Sequence, residues 1–509
     1  MYKNIEKKIQ DLKSIEIISK KLRQERKKII LCHGDFDLLH TGHLNYFLEA
    51  KKRGDVLIVS VTSEKFIKKG PGRPVNNDQQ RINFLAHIQI IDYVILSKNY
   101  NSVKIIKTIK PNLYVKGKDY YSSKKNRYYS NNLKLEKTAV QKYGGNLIFT
   151  KNQTRSSSNI INANLLDKSI IDKIQKIKKS YNYEKFLVDI ERLKNLKILV
   201  IGETIIDEYI YTSPLGKPSK ENIIATEFLR KEISLGGIFT AYSTFKSFSN
   251  NVDCITTISN KNRKLFKNIF KNIKNKKLIL EANSDTTKIR FVDNSHKTIK
   301  KLFEIYKNSF NKNSEKNLKF ICKYLEQKLH LYDLVLVNDY GHGFFADKII
   351  KLLERNSKFL ATNVQINAGN KGLNLITKYK RSDFACVDEM EAMRVAGSLN
   401  LNTNDLLSKL HKKINSKSIC ITLGSKGSCI KNKNETSIFS PALTNSVVDT
   451  IGAGDIFFVV ASIFLNIKKS NEIASFLGNV GGAIAVNKEN SNISSIKESF
   501  MSYVETLLK

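Results

Sequence analysis

The sequence predicts an α/β protein of two successive units with largely parallel sheets. Short apolar runs of strand length alternate with amphipathic helical stretches, and Gly-containing turns mark the strand-to-helix passages. Residues 164–196 divide the chain: they are rich in Lys, Ile and Asp, lack Gly and Pro, and read as one or two linking helices. The expected layout is an N-terminal helix at 1–27, a first unit at 28–163, the helical linker, and a second unit at 197–509. A chain of 509 residues easily supplies cores for such a division.

In the first unit the strand Lys28–Cys32 runs into Gly34-Asp35-Phe36-Asp37. A helix follows over His43–Arg53, then the strand Val56–Val61 behind Gly54-Asp55, a helix over Asp78–His87 and the strand Tyr93–Leu96. The helix Ser102–Lys110 precedes Pro111, and the strands Leu113–Val115 and Leu147–Thr150 complete the unit near Ser156-Ser157-Ser158. The second unit opens with the strand Lys197–Ile201 and continues with Leu334–Val337, Phe359–Ala361, Phe384–Val387 and Ser418–Thr422. Residues 260–283 and 308–319 read as polar, Lys/Asn-rich insertions without visible chemistry, and no internal repeat of fixed period is present.

Composition excludes several classes. The longest apolar runs fall short of the ~18–20 residues that span a bilayer, so no membrane association is expected. The N-terminus lacks the apolar stretch and cleavage site of a secretory signal, which predicts a cytoplasmic protein. Cys32, Cys254, Cys322, Cys386, Cys420 and Cys429 form no C-x-x-C pair, so they are expected to be small buried hydrophobes. The net charge is +39, yet only 14 of the 86 basic residues are Arg, the residue that bidentate base and phosphate recognition favours. A diffuse Lys/Asn/Ile excess is a compositional drift of solvent-facing positions, and no nucleic-acid partner is expected from it.

Two histidines three apart, His40 and His43, stand at a strand-to-helix transition, where backbone N–H groups and the helix dipole favour anions. Their rings can donate hydrogen bonds to a phosphate whose charge grows in a transition state. The run Gly34-Asp35-Phe36-Asp37-Leu38-Leu39-His40-Thr41-Gly42-His43 resembles the G-x-F-D-x-x-H-x-G-H signature of the cytidylyltransferase-like nucleotidyltransferases, which have a Rossmann-like fold. The resemblance continues through Lys69-Gly70-Pro71-Gly72-Arg73-Pro74-Val75-Asn76, Arg81, Val115-Lys116-Gly117-Lys118-Asp119-Tyr120 and Arg155-Ser156-Ser157-Ser158. It implies attack by a sugar or polyol phosphate on the α-phosphorus of a nucleoside triphosphate, with pyrophosphate leaving. His40 and His43 would stabilise the pentacovalent phosphorus, and Ser156, Ser157 and Ser158 would hold the triphosphate. Asp35 and Phe36 belong to the same phosphate-binding motif, Lys51 and Arg81 are further phosphate candidates, and Lys116, Gly117, Asp119 and Tyr120 would line the base or acceptor region. Lys51 and Arg81 read equally well as a solvated helix face. Asp35 stands where the family commonly has Cys, which alters the charge near the phosphates.

In the second unit, Asp449-Thr450-Ile451-Gly452-Ala453-Gly454-Asp455 is a Gly-Ala-Gly turn running into an apolar helix. Such a turn presents backbone N–H groups to a phosphoryl oxyanion, and Asp455 can accept a proton from an attacking hydroxyl. The segment resembles the D-T-x-G-A-G-D signature of the ribokinase-like (PfkB) carbohydrate kinases. That resemblance assigns Asp207, Gly236, Gly237 and Asp339 to the acceptor. It assigns Thr422, Gly424, Gly427, Gly452, Ala453 and Gly454 to the nucleotide, and Asp388 and Glu391 to magnesium through water. Thr240 and Asp388 stand where the family usually has Asn. Lys288 and Arg290 alternate on an expected strand and hence share a face; either they bind a phosphate already on the sugar, or the strand simply faces solvent.

Together the two halves resemble the bifunctional heptose 7-phosphate kinase / heptose 1-phosphate nucleotidyltransferases with the domain order reversed. The resemblance implies a carbohydrate kinase and a nucleotidyltransferase using Mg²⁺ and ATP, with ATP or CTP as nucleotidyl donor, and with sugar phosphates and NTPs as its small-molecule partners. A homodimer is open, since family members often form one. A different sugar, or a nucleotide fold retained for regulation or nucleic-acid binding, is the alternative; the presence of His40, His43 and Asp455 argues against loss of chemistry.

Overall fold

Six strands form the first sheet: β1 (Ile9–Gln10), β2 (Ile29–Gly34), β3 (Val56–Thr62), β4 (Tyr93–Ser97), β5 (Leu113–Lys116) and β6 (Asn146–Phe149). In the computed structural model the described residues are 3–99, 101–118, 127–151, 166–293, 300–308, 310–487 and 496–509. The strand order is β1-β4-β3-β2-β5-β6 and every pairing is parallel. The central strands, buried on both faces, read as continuous apolar runs, as in Ile29-Ile30-Leu31-Cys32. The order reverses between β2 and β5, which opens a crevice at their carboxyl ends. The N-terminal segment holds more than a helix: β1 pairs with β4 ahead of the Leu12–Gln24 helix, which Asp11 caps.

The chain divides into two compact units between Ile171 and Asp172. The segment expected as a linker forms the helices Lys168–Ser180 and Tyr183–Leu193. The second of these packs into the second unit: the Phe186 ring meets Phe464 at 6.3 Å and Phe500 at 5.8 Å, and the Lys469 ammonium pairs with the Asp189 carboxylate at 2.8 Å.

The second unit contains β7 (Lys197–Gly202), β8 (Thr204–Gly216), β9 (Ala225–Gly237), β10 (Asn251–Ile258), β11 (Ile279–Glu281), β12 (Thr286–Asp293), β13 (Lys300–Lys307), β14 (Leu334–Asp339), β15 (Leu360–Val364), β16 (Arg381–Asp388), β17 (Asn415–Thr422), β18 (Gly427–Asn432) and β19 (Ile438–Pro441). Nine of them make one sheet, β11-β10-β7-β14-β15-β16-β17-β18-β19, antiparallel only across the last two pairings. Its order reverses between β7 and β14. The other four make a separate sheet, β13-β12-β8-β9.

The helix Ala453–Asn466 is buried along Ile456–Phe464, which accounts for its unbroken apolar sequence. Residues 260–283 are more than an insertion: Phe270, Ile273 and Leu278 are buried, and β11 extends the large sheet beside β10. All six cysteines are free and buried, with Cys386 and Cys420 opposite each other on β16 and β17.

Candidate active sites

At the first crevice β2 ends in Gly34, where a Cβ would approach the Phe36 ring to 3.0 Å. Phe36 adopts a left-handed backbone, φ 47°, uncommon for a bulky residue, and its ring packs on Phe47 at 5.2 Å and edge-on to His43 at 5.6 Å. His40 caps the following helix, Thr41–Lys51, its Nδ1 accepting the Gly42 N–H at 3.0 Å. An accepting Nδ1 leaves the ring proton on Nε2. The His40 and His43 rings lie 4.1 Å apart between centroids. Burial, followed by the His40 and Lys69 charges, holds the His43 imidazole down to about 3, so it is neutral at physiological pH. Its Nδ1 is buried without a hydrogen-bond partner among the described residues.

Asp35 pairs with Lys69, Oδ2 to Nζ 2.8 Å. Burial pushes the Asp35 carboxyl up, but the Lys69 charge and hydrogen bond outweigh it and bring it down to about 2. Asp37 accepts the backbone N–H groups of Val75 and Asn76 at 2.8 and 2.9 Å and fastens that loop to the motif.

Arg81 departs from both sequence readings, and Lys51 departs from the phosphate-contact reading. Arg81 is fully buried, donating to the Asp35, Thr62 and Asn76 carbonyls at 2.7, 2.7 and 3.1 Å and to Asp78 at 2.5 Å. Its donors are spent on shaping the loop, which leaves it as neither a phosphate contact nor a solvated residue. Lys51, at the far end of its helix, reaches the Asp55 carbonyl at 2.6 Å and Asp92 at 2.5 Å, just before β3 and β4. That is the amino edge of the sheet, opposite the histidines.

Lys116 closes β5 and its side chain is 5% exposed, its ammonium 3.6 Å from Glu136, whose carboxylate also accepts the Ser102 hydroxyl at 2.8 Å. Among the described residues nothing lies within 4 Å of a Cβ built on Gly117. Asp119, Tyr120, Ser156, Ser157 and Ser158 lie outside the described residues.

At the second reversal, β7 ends in Gly202 and Glu203 follows it. The buried Glu203 carboxylate accepts three backbone N–H groups of the loop after β14: Tyr340 at 2.6 Å, His342 at 2.7 Å and Phe344 at 3.1 Å. Burial and the Asp339 charge raise its pKa. Asp339, expected at the acceptor, is instead saturated within the protein. It accepts Tyr379 Oη at 2.8 Å, Lys378 Nζ at 2.5 Å, Asn374 Nδ2 at 3.1 Å and the Gly341 N–H at 3.0 Å.

The loop so fixed carries Tyr340 to Asp455, Oη to Oδ1 3.2 Å. Gln365 donates to the same oxygen at 3.0 Å and Asn338 at 3.5 Å. Asp455 lies in the first turn of the Ala453–Asn466 helix, after Gly452 in the left-handed region, φ 77°. Gly452, Ala453 and Gly454 therefore open a helix N-terminus whose first N–H groups lack intrahelical acceptors. Burial raises the Asp455 carboxyl to about 6; the Tyr340 hydroxyl and the Lys288 charge oppose this, and the Asp207 charge adds to it.

Asp207 on β8 pairs with Arg290, which also holds Glu304 at 2.7 Å. Arg290 and Lys288 are each 7% exposed, which rules out the solvent-facing reading of β12. Lys288 lies 5.3 Å above the Tyr306 ring and 6.0 Å from that of Tyr340; burial, then Arg290, lowers its pKa. At Gly236 a Cβ would sit 1.8 Å from Asp207 Oδ2, and Gly237, φ 59°, would meet the Glu203 carbonyl at 2.6 Å.

Thr422 ends β17, and the connection to β18 turns on Gly424, φ 57°, and Gly427, φ 114°, where a Cβ would strike the Ser440 carbonyl at 2.2 Å. Asp388 and Glu391 form a capping box on the helix Glu389–Ala396, each carboxylate accepting the other's N–H, at 2.7 and 2.8 Å. Burial, Asp388 and Asp455 raise the Glu391 pKa. Among the described residues no group of three His, Cys, Asp or Glu side chains could hold a metal directly. This donor set fits a cation held through water rather than one bound by the protein alone. Lys69, Glu203, Asn338, Tyr340 and Gln365 received no role from the sequence; Lys69 stood within a motif segment and Tyr340 directly after Asp339, which was the available signal.

Residues 31–163 match the cytidylyltransferase-like family model and residues 265–498 match the pfkB family carbohydrate kinase model. The chain is similar to the bifunctional protein HldE of a Nitratiruptor species, 43% identical over 114 residues, which are 22% of this chain and 25% of that protein. It is also similar to that of Campylobacter jejuni subsp. doylei, 41% identical over 119 residues, 23% of this chain and 25% of that protein. The chain thus spans about a quarter of the curated relatives it matches. The ribokinase structure of Thermotoga maritima is 19% identical, covers 60% of this chain and 99% of that one, and has a TM-score of 0.46. No helix among the described residues is long and apolar enough to cross a membrane. The chain joins a cytidylyltransferase-like nucleotidyltransferase domain to a carbohydrate kinase domain of the pfkB family.

Proposed function

We propose that this cytoplasmic protein phosphorylates a sugar phosphate with ATP, at the anomeric hydroxyl of a heptose 7-phosphate, and that its other domain converts a sugar 1-phosphate and an NTP into a nucleotide-activated sugar and pyrophosphate. The observation that carries the reading is the constellation around Asp455: a carboxylate at a helix N-terminus, with the buried Lys288 ammonium and the Asp207 carboxylate within its electrostatic reach.

In phosphoryl transfer, Asp455 takes the proton of the acceptor hydroxyl as its oxygen bonds to the γ-phosphorus and the bond to ADP breaks. The N–H groups opening at Gly452–Gly454 meet the charge on the transferred group. Lys288 holds the phosphate already on the sugar, and Arg290 acts through Asp207 instead of binding that phosphate itself. Asp388 and Glu391 would hold Mg²⁺ through water, and the cation would supply screening of the phosphate charge. In nucleotidyl transfer the sugar phosphate oxygen bonds to the α-phosphorus and pyrophosphate departs. The His40 Nε2–H and the neutral His43 ring steady the pentacovalent centre.

A second reading keeps both reactions but changes the sugar, or makes CTP the nucleotidyl donor. Thr240, buried where the resembled family usually has Asn, supports a change of acceptor. Purified protein incubated with heptose, hexose and pentose phosphates and each NTP, with products identified by mass, tests both readings. A phosphorylated acceptor and a nucleotide sugar are expected; absence of both products across the panel refutes the proposal.

A further inference from the structure

All three hydrogen bonds to the Asp455 carboxylate fall on one oxygen. Gln365 Nε2, Tyr340 Oη and Asn338 Nδ2 converge on Oδ1 at 3.0, 3.2 and 3.5 Å, and Oδ2 has no such partner among the described residues. A base held in this way has one fixed oxygen and one left for the acceptor proton. The donors are themselves fixed. Asn338 also donates to Tyr340 Oη at 3.0 Å, and Glu203 grips the Tyr340 backbone.

Gln365 stands just beyond β15, at the head of a loop tied by amide side chains. Asn367 and Asn370 donate to the Tyr340 carbonyl at 2.8 and 3.0 Å, and Asn370 and Asn374 donate to the Gln365 carbonyl at 2.9 and 3.2 Å. Asn370 therefore holds the backbones of both donors, with Asn367 and Asn374 adding one bond each, so Gln365 and Tyr340 approach Asp455 as one unit. In the low dielectric of the interior such a polar network strengthens its own bonds, and this one converges on the reacting group.

We propose that Gln365 is a positioning residue of phosphoryl transfer: with Tyr340 it holds Asp455 by Oδ1, so that Oδ2 receives the acceptor proton. This rests on the reading of the second domain as a kinase. The other charged or titratable groups within electrostatic reach of Asp455 are Lys288 on β12, Asp207 on β8 and Glu391 on the Glu389–Ala396 helix. They remain unchanged in the variants below.

The test uses the full chain, ATP and the same panel of heptose, hexose and pentose phosphates, comparing wild type with Gln365→Leu, Gln365→Glu, Tyr340→Phe and Asp455→Asn. For whichever acceptor the wild type phosphorylates, Gln365→Leu lowers kcat about tenfold or more while KM for ATP and acceptor stays within about threefold. Loss of a donor to the carboxylate favours its neutral form, so the acid limb of the rate profile moves to higher pH in Gln365→Leu and Tyr340→Phe. It moves further in Gln365→Glu, which keeps the side-chain shape but adds a like charge. A general loosening of the site would raise KM for ATP and leave the limb in place. An inactive Asp455→Asn with an unaltered kcat in Gln365→Leu overturns this proposal alone. A wild type that phosphorylates no acceptor, or an active Asp455→Asn, overturns the kinase reading and the proposal with it.

Discussion

A methyl group on Gly236 would lie 1.8 Å from Asp207 Oδ2, so the absence of a side chain at one position sets the place of a carboxylate on the neighbouring strand. The displaced oxygen belongs to a carboxylate that is ion-paired to Arg290 through its other oxygen, so relief of the clash moves a paired group. Gly236→Ala is expected to cut sugar phosphorylation about a hundredfold, largely through KM for the acceptor, while nucleotidyl transfer by the other domain is unchanged. Steady-state assays of the two half-reactions measure the difference.

His43 is neutral throughout the usable pH range. Its ring protonates only near pH 3, so the nucleotidyl transfer profile should show no limb from this residue between about pH 5 and 8. His43→Ala should lower pyrophosphate release about a thousandfold and leave sugar phosphorylation intact. Loss of both activities in a folded variant would sink the independent-site view.

Asp455 titrates where function can be read. The base works only when ionised, so kcat/KM for phosphorylation should fall as pH drops through about 6. The stability effect runs the other way. The folded-state pKa is raised, so the native protein binds a proton that the unfolded chain has released, and stability declines as pH rises from about 4 to about 6. Asp455→Asn should therefore be inactive as a kinase yet more stable than wild type at about pH 8, by about 1–3 kcal/mol. Denaturant unfolding of the two proteins at about pH 5 and about pH 8 checks the sign.

Asp35 and Lys69 neutralise each other beside the histidines. Asp35→Asn removes a negative charge from the approach of a triphosphate and lets Lys69 meet it, so KM for the NTP should fall several-fold at low ionic strength and converge on wild type in high salt. Lys69→Ala leaves the carboxylate without its cation and should raise that KM. Initial rates across a salt series separate the two.

The parallel architecture and both reversal-point motifs were legible because apolar strands, Gly turns and helix starts are local signals. Side-chain direction was not. Arg81 lies on an ordinary-looking helix, yet three loop carbonyls needed donors and drew it fully inside; Lys51, one helix away, turned to the opposite edge of the sheet. Asp339 sat in the right motif but is consumed by Tyr379, Lys378 and Asn374, which approach from a loop 35 to 40 residues later. Gln365 and Tyr340 reach Asp455 across separations of 90 and 115 residues, through the β14–β15 register, which no local pattern encodes.

In the proposed reaction His40 would serve the helix and the chemistry together, since the ring that would face the phosphorus also ties down the Gly42 amide. Fraying of that helix end and loss of catalytic alignment are consequently a single event. The first domain cannot keep a competent site on a partly unwound scaffold, nor wind the scaffold fully without orienting the proton on Nε2. Asparagine at this position, an equally good cap, would part the two roles and leave an intact helix with nothing to offer the phosphate.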